Sequence, residues 1–239
     1  MERWRWMPRN LGQDYVLVNV PSFETIVVRG GKETARRRVI AGALKTPTPQ
    51  FAAAITGVVV NPVWFVPSSI VAESVGALLR DKPLEAARLG YFAAEDGGIR
   101  QKPGPRNSLG RMKLAMPNPY SVFIHDTPEK KNFDKERRAL SHGCVRVDDA
   151  LGFAAAVLGG EWTQEALEEV ADVGSTVTID LEAPIPVYIA YFTAMSDASG
   201  AMRIYDDVYK LDAQMTAEAE KEAPSATIAR GECVAAPAS

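Results

Sequence analysis

The sequence predicts a mainly β protein with helical insertions, and three observations support that class. Short runs rich in β-branched and apolar residues recur along the chain, and glycine or proline bounds most of them. Helical spacing of apolar residues is confined to a few short segments. The 239 residues are 46% hydrophobic and 24% charged, which is typical of a globular chain that buries a core.

The first predicted elements are four strands separated by turn residues. Gly30-Gly31 supplies the positive-φ residues that a tight hairpin requires. Asn61-Pro62 ends the fourth strand, because proline has no amide proton for a sheet ladder. These strands span residues 15–20, 24–29, 36–41 and 55–60.

The next segment is predicted to be a helical insertion among the strands. Ser69 is the predicted N-cap of a helix, since Val71, Val75 and Leu78 follow it at helical spacing. A second short helix over residues 83–89 begins with proline and ends before a glycine.

A basic loop region is predicted over residues 97–118. Glycine, proline and asparagine dominate it, and it contains no acidic residue. Its five basic residues are Arg100, Lys102, Arg106, Arg111 and Lys113.

Two predicted strands in the second half carry scarce side chains. Residues 120–125 bring His125 to a strand end, and residues 145–147 begin directly after Cys144. The highly charged segment 129–138 between them is predicted to be a solvated loop.

The remaining elements are two helices, three strands and a tail. Asp149 is the predicted cap of a helix over 150–158, and a further helix is predicted over 164–170. Residues 211–239, rich in Ala, Glu, Pro and Ser, are predicted to form a mobile C-terminal tail. The predicted strands are 176–181, 186–193 and 202–205.

Charge and hydropathy exclude several classes of protein. A net charge of −3 and a pI near 5.6 predict no nucleic-acid partner. No apolar run approaches the roughly 18 residues that a transmembrane segment needs, and the first residues lack the apolar stretch of a signal peptide. We therefore expect either a cytosolic chain or one whose leader has been removed.

The two histidines of the chain, His125 and His142, flank Cys144, one of its two cysteines. A thiol beside an imidazole is the minimum equipment for nucleophilic acyl chemistry, and the imidazole can favour a resting thiolate–imidazolium pair. His125 is the better base, because His142 lies two residues before the cysteine on one extended segment. The amides of Gly143 and Cys144 are predicted to donate to an oxyanion.

Arg146 is predicted to share the face of Cys144, two residues away on an extended segment. Its planar guanidinium can hold a substrate carboxylate, or it can pair internally with Asp148 or Asp149 and fix the loop. Both readings stay open at the level of sequence.

Two other uses of the histidines and cysteines are weaker predictions. A zinc site would need a fourth ligand such as Asp126, and the spacing matches no zinc finger. A Cys144–Cys233 disulfide is formally possible, although Cys233 lies in the predicted tail. No metal and no cofactor is expected.

These segments resemble the L,D-transpeptidase catalytic domain, the YkuD family, in which a histidine precedes a Ser/Thr-His-Gly-Cys motif. The resemblance is most specific to the large Gram-negative members that form 3→3 peptidoglycan cross-links, and it covers roughly residues 2–210. It implies a YkuD-like β-sandwich or mixed-sheet catalytic domain over 1–210, with residues 62–102 as a mobile helical capping subdomain. The matching segments are Asn61-Pro62-Val63-Trp64-Phe65-Val66-Pro67, Gly104-Pro105-Arg106-Asn107-Ser108-Leu109-Gly110 and Leu140-Ser141-His142-Gly143-Cys144-Val145-Arg146-Val147.

The resemblance implies that Cys144 is the nucleophile and His125 the base, oriented by the backbone carbonyl of Asp126. His142 and Gly143 would shape the acyl pocket. The predicted substrate-binding residues are Arg146, Ser141, Arg106 and Asn107.

The implied reaction is a ping-pong transfer between peptidoglycan stem peptides in the periplasm or cell envelope. The thiol attacks the amide between diaminopimelate and D-Ala of a donor tetrapeptide, and an acceptor stem amine resolves the thioester. Carbapenems are expected to acylate the same thiol.

Several functions remain open within this resemblance. Water in place of the amine would make the protein an L,D-carboxypeptidase or a stem endopeptidase. A lipoprotein could be the acceptor instead of a stem peptide. A non-catalytic wall-binding domain is disfavoured, because such a domain has no reason to retain both Cys144 and His125.

Overall fold

The computed structural model describes residues 2–196 and 199–213. These residues divide into two units, one that ends at Asp206 and one that begins at Asp207. In the second unit the Asp207 carboxylate accepts the amides of Leu211 and Asp212. The predicted tail, 211–239, lies almost entirely outside the described residues, and so does Cys233.

The first unit is built mainly of strands. They are β1 (Tyr15–Asn19), β2 (Glu24–Arg29), β3 (Lys32–Gly42), β4 (Phe51–Val60), β5 (Trp64–Phe65), β6 (Tyr91–Ala93), β7 (Ile99–Gln101), β8 (Met112–Ala115), β9 (Ile124–His125), β10 (Ala139–Ser141), β11 (Val145–Val147), β12 (Val177–Ala190), β13 (Ala194–Ser196) and β14 (Met202–Ile204).

The helices are few and short. They are α1 (Ser68–Ile70), α2 (Gly76–Asp81), α3 (Pro83–Arg88), α4 (Ala150–Leu158) and α5 (Gln164–Asp172), with 3-10 turns at Glu2–Trp6 and Lys130–Asp134 and a π-helical turn at Val71–Val75. The predicted class, mainly β with helical insertions, is confirmed. Among the described helices, none has the length and apolar character to cross a bilayer.

Nine of the described strands form one mixed sheet in the order β10-β3-β11-β9-β8-β4-β12-β1-β2. Because β2 also pairs with β3, the sheet closes on itself. The pairs β1–β12, β9–β11 and β3–β10 are parallel, and the other pairs are antiparallel. The predicted mixed sheet is therefore observed, and its closure is a feature that local sequence patterns do not specify.

Helix α4 packs against strands β2, β3, β4 and β8. Its small and aromatic residues allow that close approach, and Phe153 and Val157 are fully buried. Asp149 precedes the helix with φ 45°, but it makes no capping bond, because its carboxylate pairs with Arg37 at 2.8 Å. Asp149, the predicted cap, therefore forms an ion pair with β3 instead of capping the helix.

The insert, residues 62–102, contains α1, the π-helical turn, α2, α3 and a small sheet of β5, β7 and β6. Proline stands at the start of α3 as predicted. The preceding helix begins at Ser68 after Pro67, with no side-chain capping bond, rather than at a Ser69 cap.

Three further predictions differ from the structure. The strand predicted over 120–125 is confined to β9, because the Asn118 side chain bonds the Met116 and Val122 carbonyls and forms a turn. The strands predicted at 176–181 and 186–193 are one strand, β12, with a register shift between Asp180 and Ile185. The charged segment 129–138 includes a 3-10 turn that buries Phe133, so it is not a wholly solvated loop.

Candidate active site

Three strands align one row of side chains across the sheet. Arg146 on β11 is in register with His125 on β9, and His125 is in register with Lys113 on β8. Residues in register on neighbouring strands project to the same face. Cys144 lies two residues before Arg146, so the thiol belongs to this face as well.

A turn stabilised by Ser141 carries Cys144. The Ser141 Oγ donates to the carbonyl oxygen of Cys144 and accepts the Gly143 amide at 3.1 Å. The Thr48 hydroxyl donates to the Gly143 carbonyl at 2.8 Å. Gly143 has φ 113°, a conformation that favours glycine.

These bonds involve two residues with predicted roles in the site, Ser141 and Gly143. Ser141 is only 2% exposed, and its hydroxyl is engaged in holding the loop. The Gly143 N–H is already bonded to Ser141, so it is not available to an oxyanion here. In the described part of the chain no acceptor takes the Cys144 N–H, so that amide is available to donate to an oxyanion.

The imidazole of His125 is buried and oriented by its own strand end. Its Nδ1 contacts the carbonyl oxygen of Asp126, which is the arrangement that the family resemblance implies. With a proton on Nδ1, the ring donates to that carbonyl, and Nε2 is left to accept a proton. The Asp126 carboxylate accepts the Arg111 amide at 2.8 Å and pairs with Lys130.

The ionisation of His125 and Cys144 is set mainly by burial. Burial, followed by the charge of Arg146, lowers the pKa of His125 to about 4. Burial raises the pKa of the Cys144 thiol, and the Phe123 backbone, Arg146 and Lys113 oppose that rise. The free protein therefore favours a neutral thiol and a neutral imidazole at neutral pH, rather than the thiolate–imidazolium pair that the sequence suggests.

The thiol of Cys144 is free and partly exposed. Its Sγ lies 4.0 Å from the Ser121 carbonyl oxygen and is also hydrogen-bonded by the Phe123 backbone. Bonds between catalytic groups often tighten only when substrate binds.

His142 connects the Cys144 loop to the insert. Its Nε2 lies 3.0 Å from the Glu73 carboxylate, which belongs to the π-helical turn. Both side chains are at least half exposed. The predicted role of His142 in shaping the acyl pocket thus has a structural counterpart at the border between the loop and the insert.

Arg146 pairs with Glu129 at 2.9 Å, and not with Asp148 or Asp149. Those two aspartates pair with Arg38 and Arg37 instead. The internal pairing that we considered for Arg146 is present, but with a partner from the charged segment before β10.

Asn107 and Arg106 bond backbone groups of the insert. The Asn107 side chain is 1% exposed; its Nδ2 donates to the carbonyls of Pro62, Gln101 and Lys102, and its Oδ1 accepts the Leu109 amide. Arg106 donates to the Arg88 carbonyl at the end of α3. Both residues were predicted to bind substrate, and in this structure they anchor the insert.

Four residues near the site were not singled out from the sequence. Lys113 was one of five residues in a basic run, and Glu129 was assigned to a solvated loop. Glu73 and Thr48 carry no local signal, because their partners lie 69 and 95 residues away in sequence. Only tertiary contacts identify residues of this kind.

The two histidines and Cys144 do not form a metal-binding group. Nδ1 of His125 faces a backbone carbonyl, and Nε2 of His142 faces Glu73. In residues 2–196 and 199–213, no three side chains of His, Cys, Asp or Glu are grouped closely enough to hold an ion.

The fold and the site define a mixed β domain in which a thiol and an imidazole lie on one face of a closed sheet. The family model for the YkuD L,D-transpeptidase catalytic domain matches residues 13–179, and the chain belongs to this family.

Individual relatives share low sequence identity with this chain. A Haemophilus influenzae protein named "Putative L,D-transpeptidase" is 27% identical over 221 residues, which cover 84% of this chain and 45% of that protein. This chain thus spans less than half the length of that relative.

Solved structures with a similar fold include L,D-transpeptidases of two organisms. The catalytic domain from E. faecium acylated by ertapenem has a TM-score of 0.40 at 13% identity, covering 75% of this chain and 98% of that one. The Mycobacterium smegmatis enzyme has a TM-score of 0.40 at 13% identity, covering 74% and 58%.

Proposed function

We propose that this protein is a peptidoglycan L,D-transpeptidase that uses Cys144 as its nucleophile and forms 3→3 cross-links. The Cys144 sulfur attacks the carbonyl carbon of the diaminopimelate–D-Ala amide, while His125 Nε2 accepts the thiol proton. The C–N bond then breaks, and D-Ala leaves with that proton on its nitrogen. An acceptor stem amine attacks the thioester, loses a proton to His125, and releases the thiol.

The alignment of Cys144 and His125 on one sheet face is the observation that carries the proposal. The contact between Nδ1 and the Asp126 carbonyl directs Nε2 toward proton transfer, and a neutral imidazole is the form that accepts a proton. The Cys144 amide supplies one oxyanion donor. These parts correspond to nucleophile, base and electrostatic stabilisation in acyl transfer.

The contact between the insert and the Cys144 loop supports a role for residues 62–102 as a cap. Its π-helical turn reaches the Cys144 loop through Glu73 and His142, so motion of the insert changes access to the thiol. Water exclusion by such a segment favours transfer to an amine over hydrolysis. Because the proposed substrate belongs to the cell wall, we expect the activity in the periplasm or cell envelope.

Incubation with a disaccharide-tetrapeptide, followed by mass spectrometry, tests the proposal. We expect a cross-linked dimer and free D-Ala from the wild type, and neither from Cys144→Ala. Cys233→Ala is the matched control and should retain both products. Disaccharide-tripeptide without dimer would assign the protein as an L,D-carboxypeptidase, and products from Cys144→Ala would refute the nucleophile.

Ertapenem provides a second readout for the same nucleophile. The wild type and Cys233→Ala should gain the mass of one carbapenem, and a peptide digest should locate it on Cys144. An adduct of equal yield on Cys144→Ala would contradict the assignment. A wild type that forms an adduct but no stem products would have the thiol chemistry and a different acyl substrate.

A further inference from the structure

The charges around Cys144 and His125 are paired with one exception. Arg146 on β11 pairs with Glu129, and Asp126 after β9 pairs with Lys130. His142 on the Cys144 loop faces Glu73 from the insert. Lys113 on β8 has no carboxylate partner among the residues that the structure describes, so its positive charge is the uncompensated one in this row.

Lys113 is half-buried, whereas the other basic residues of the run over 100–113 are mostly neutralised or exposed. In the basic run, Arg100 pairs with Asp96, Arg111 pairs with Asp172, and Arg106 donates to a carbonyl. The Lys113 Nζ instead lies 4.5 Å from the centroid of the Phe123 ring. An ammonium without a counter-ion is costly to bury, so its retention beside a reactive thiol indicates a function.

The sheet register determines where the Lys113 charge acts. Lys113 is directly opposite His125 in the β8–β9 pair, and Phe123 lies two residues before His125 on the same face. The Val145 amide donates to the Phe123 carbonyl at 2.9 Å, so Phe123 is beside the start of β11, where Cys144 lies. The Lys113 ammonium, which lies over the Phe123 ring, is therefore on the side of the row where Cys144 lies.

We propose that Lys113 is the positioning residue that stabilises negative charge on the Cys144 sulfur and keeps the His125 ring from retaining a proton. Its ammonium acts through the electric field on both groups and forms no bond to substrate. When the thiol gives its proton to His125, the charge of Lys113 favours the thiolate and disfavours the imidazolium. The proton on His125 is then released more readily to the leaving amine.

Two electrostatic relationships agree with this role. The negative charge of a Cys144 thiolate opposes the fall that burial causes in the pKa of Lys113. The positive charge of Lys113 acts in the reverse direction on the thiol, and it also disfavours the protonated form of His125. The inference rests on the proposed role of Cys144, but its test requires no stem peptide.

The pH dependence of Cys144 alkylation by iodoacetamide tests the inference in a Cys233→Ser background. Lys113→Met should move the midpoint of the profile upward by about one pH unit and slow alkylation about tenfold below it. Lys113→Arg retains the charge and should restore the wild-type midpoint. Lys102→Met is the matched control, because the Lys102 Nζ lies 5.7 Å from the Phe92 ring centroid in the insert.

Thermal unfolding of each variant separates electrostatics from loss of fold. The inference is overturned if the folded Lys113→Met variant keeps the wild-type midpoint, or if Lys102→Met moves it equally. An unchanged midpoint with a raised KM for donor tetrapeptide would assign Lys113 to a substrate carboxylate and refute this role. Failure of the proposed transpeptidase activity would appear only in the product assay, not in the alkylation profile.

Discussion

Burial of the His125 imidazole destabilises mainly its charged form. Burial in the sheet and the charge of Arg146 lower its pKa to about 4, from an ordinary value of 6.5. The unfolded chain therefore takes up this proton at a higher pH than the folded protein does. The stability that His125 contributes is fully present above about pH 6.5 and is lost as the pH falls toward 4.

The first residue-scale prediction concerns this loss. Between pH 7 and 4 the protonation of His125 should lower the free energy of unfolding by about 3 kcal/mol, in addition to the effects of other groups. Urea unfolding of the wild type and His125→Gln at several pH values measures it, and the variant should show a shallower dependence. His142→Gln is the control, because that ring is half exposed. Equal slopes for the wild type and His125→Gln would show that His125 ionises normally.

Ser141, Thr48 and Gly143 show how single residues fix the position of a reactive side chain. Their hydrogen bonds hold the turn that presents the thiol, while Asn107 performs a similar task for the insert. The motif Ser-His-Gly-Cys therefore combines a loop-forming serine, a histidine that faces the insert, a glycine with positive φ and the thiol.

At the scale of elements, the insert is fixed at its base and lightly attached at its tip. The buried amides of Asn107 and Gln101 bond several backbone groups at the base. The tip contacts the Cys144 loop through the exposed pair of Glu73 and His142, which is worth less than about 1 kcal/mol. Lids are drawn from segments with such low local stability.

The element-scale prediction is a gradient of amide hydrogen exchange along the insert. Residues 68–81 should exchange faster than β8 and β9, and donor tetrapeptide should slow them. Glu73→Gln should increase exchange over 68–81 without changing the melting temperature by more than a degree or so. Glu85→Gln on α3 is the control. Uniform protection of the insert with and without donor would make it a fixed part of the domain.

At the scale of the whole molecule, closure of the sheet depends on the long pair of β4 and β12. Gly57 is opposite Asp180, directly before the register shift of β12. A Cβ at this position would lie 2.5 Å from the carbonyl oxygen of Ile179, which is backbone and has little room to move. The requirement for glycine here comes from the close approach of two strands.

The whole-molecule prediction is that Gly57→Ala lowers the free energy of unfolding by about 1 to 3 kcal/mol. Chemical denaturation measures the loss, and ertapenem acylation of the folded fraction should remain normal, because Cys144 lies on another strand. Gly98→Ala is the control, since its nearest neighbour is the flexible Asp96 side chain at 3.2 Å. Equal stability of Gly57→Ala and the wild type would show that the two strands have room to separate.

Local patterns along the sequence determined the fold class and the reactive segment. Short runs of β-branched and apolar residues predicted β1 to β4, glycines predicted the hairpin, and a proline predicted the start of α3. The motif around Cys144, with His125 upstream, identified the family, because rare residue types at fixed spacing carry chemical information. These signals depend on residues close together in the chain.

The tertiary structure alone decided which distant groups meet. Strand register aligns Arg146, His125 and Lys113, and a one-residue slip of β8 would turn Lys113 to the other face. The tertiary structure also pairs Arg146 with Glu129 and His142 with Glu73. The sequence alone does not single out these acidic partners. Burial, which lowers the pKa of His125 and raises that of Cys144, is a property of the whole closed sheet. A linear pattern specifies which face a side chain takes on its own strand, but not which strand lies beside it.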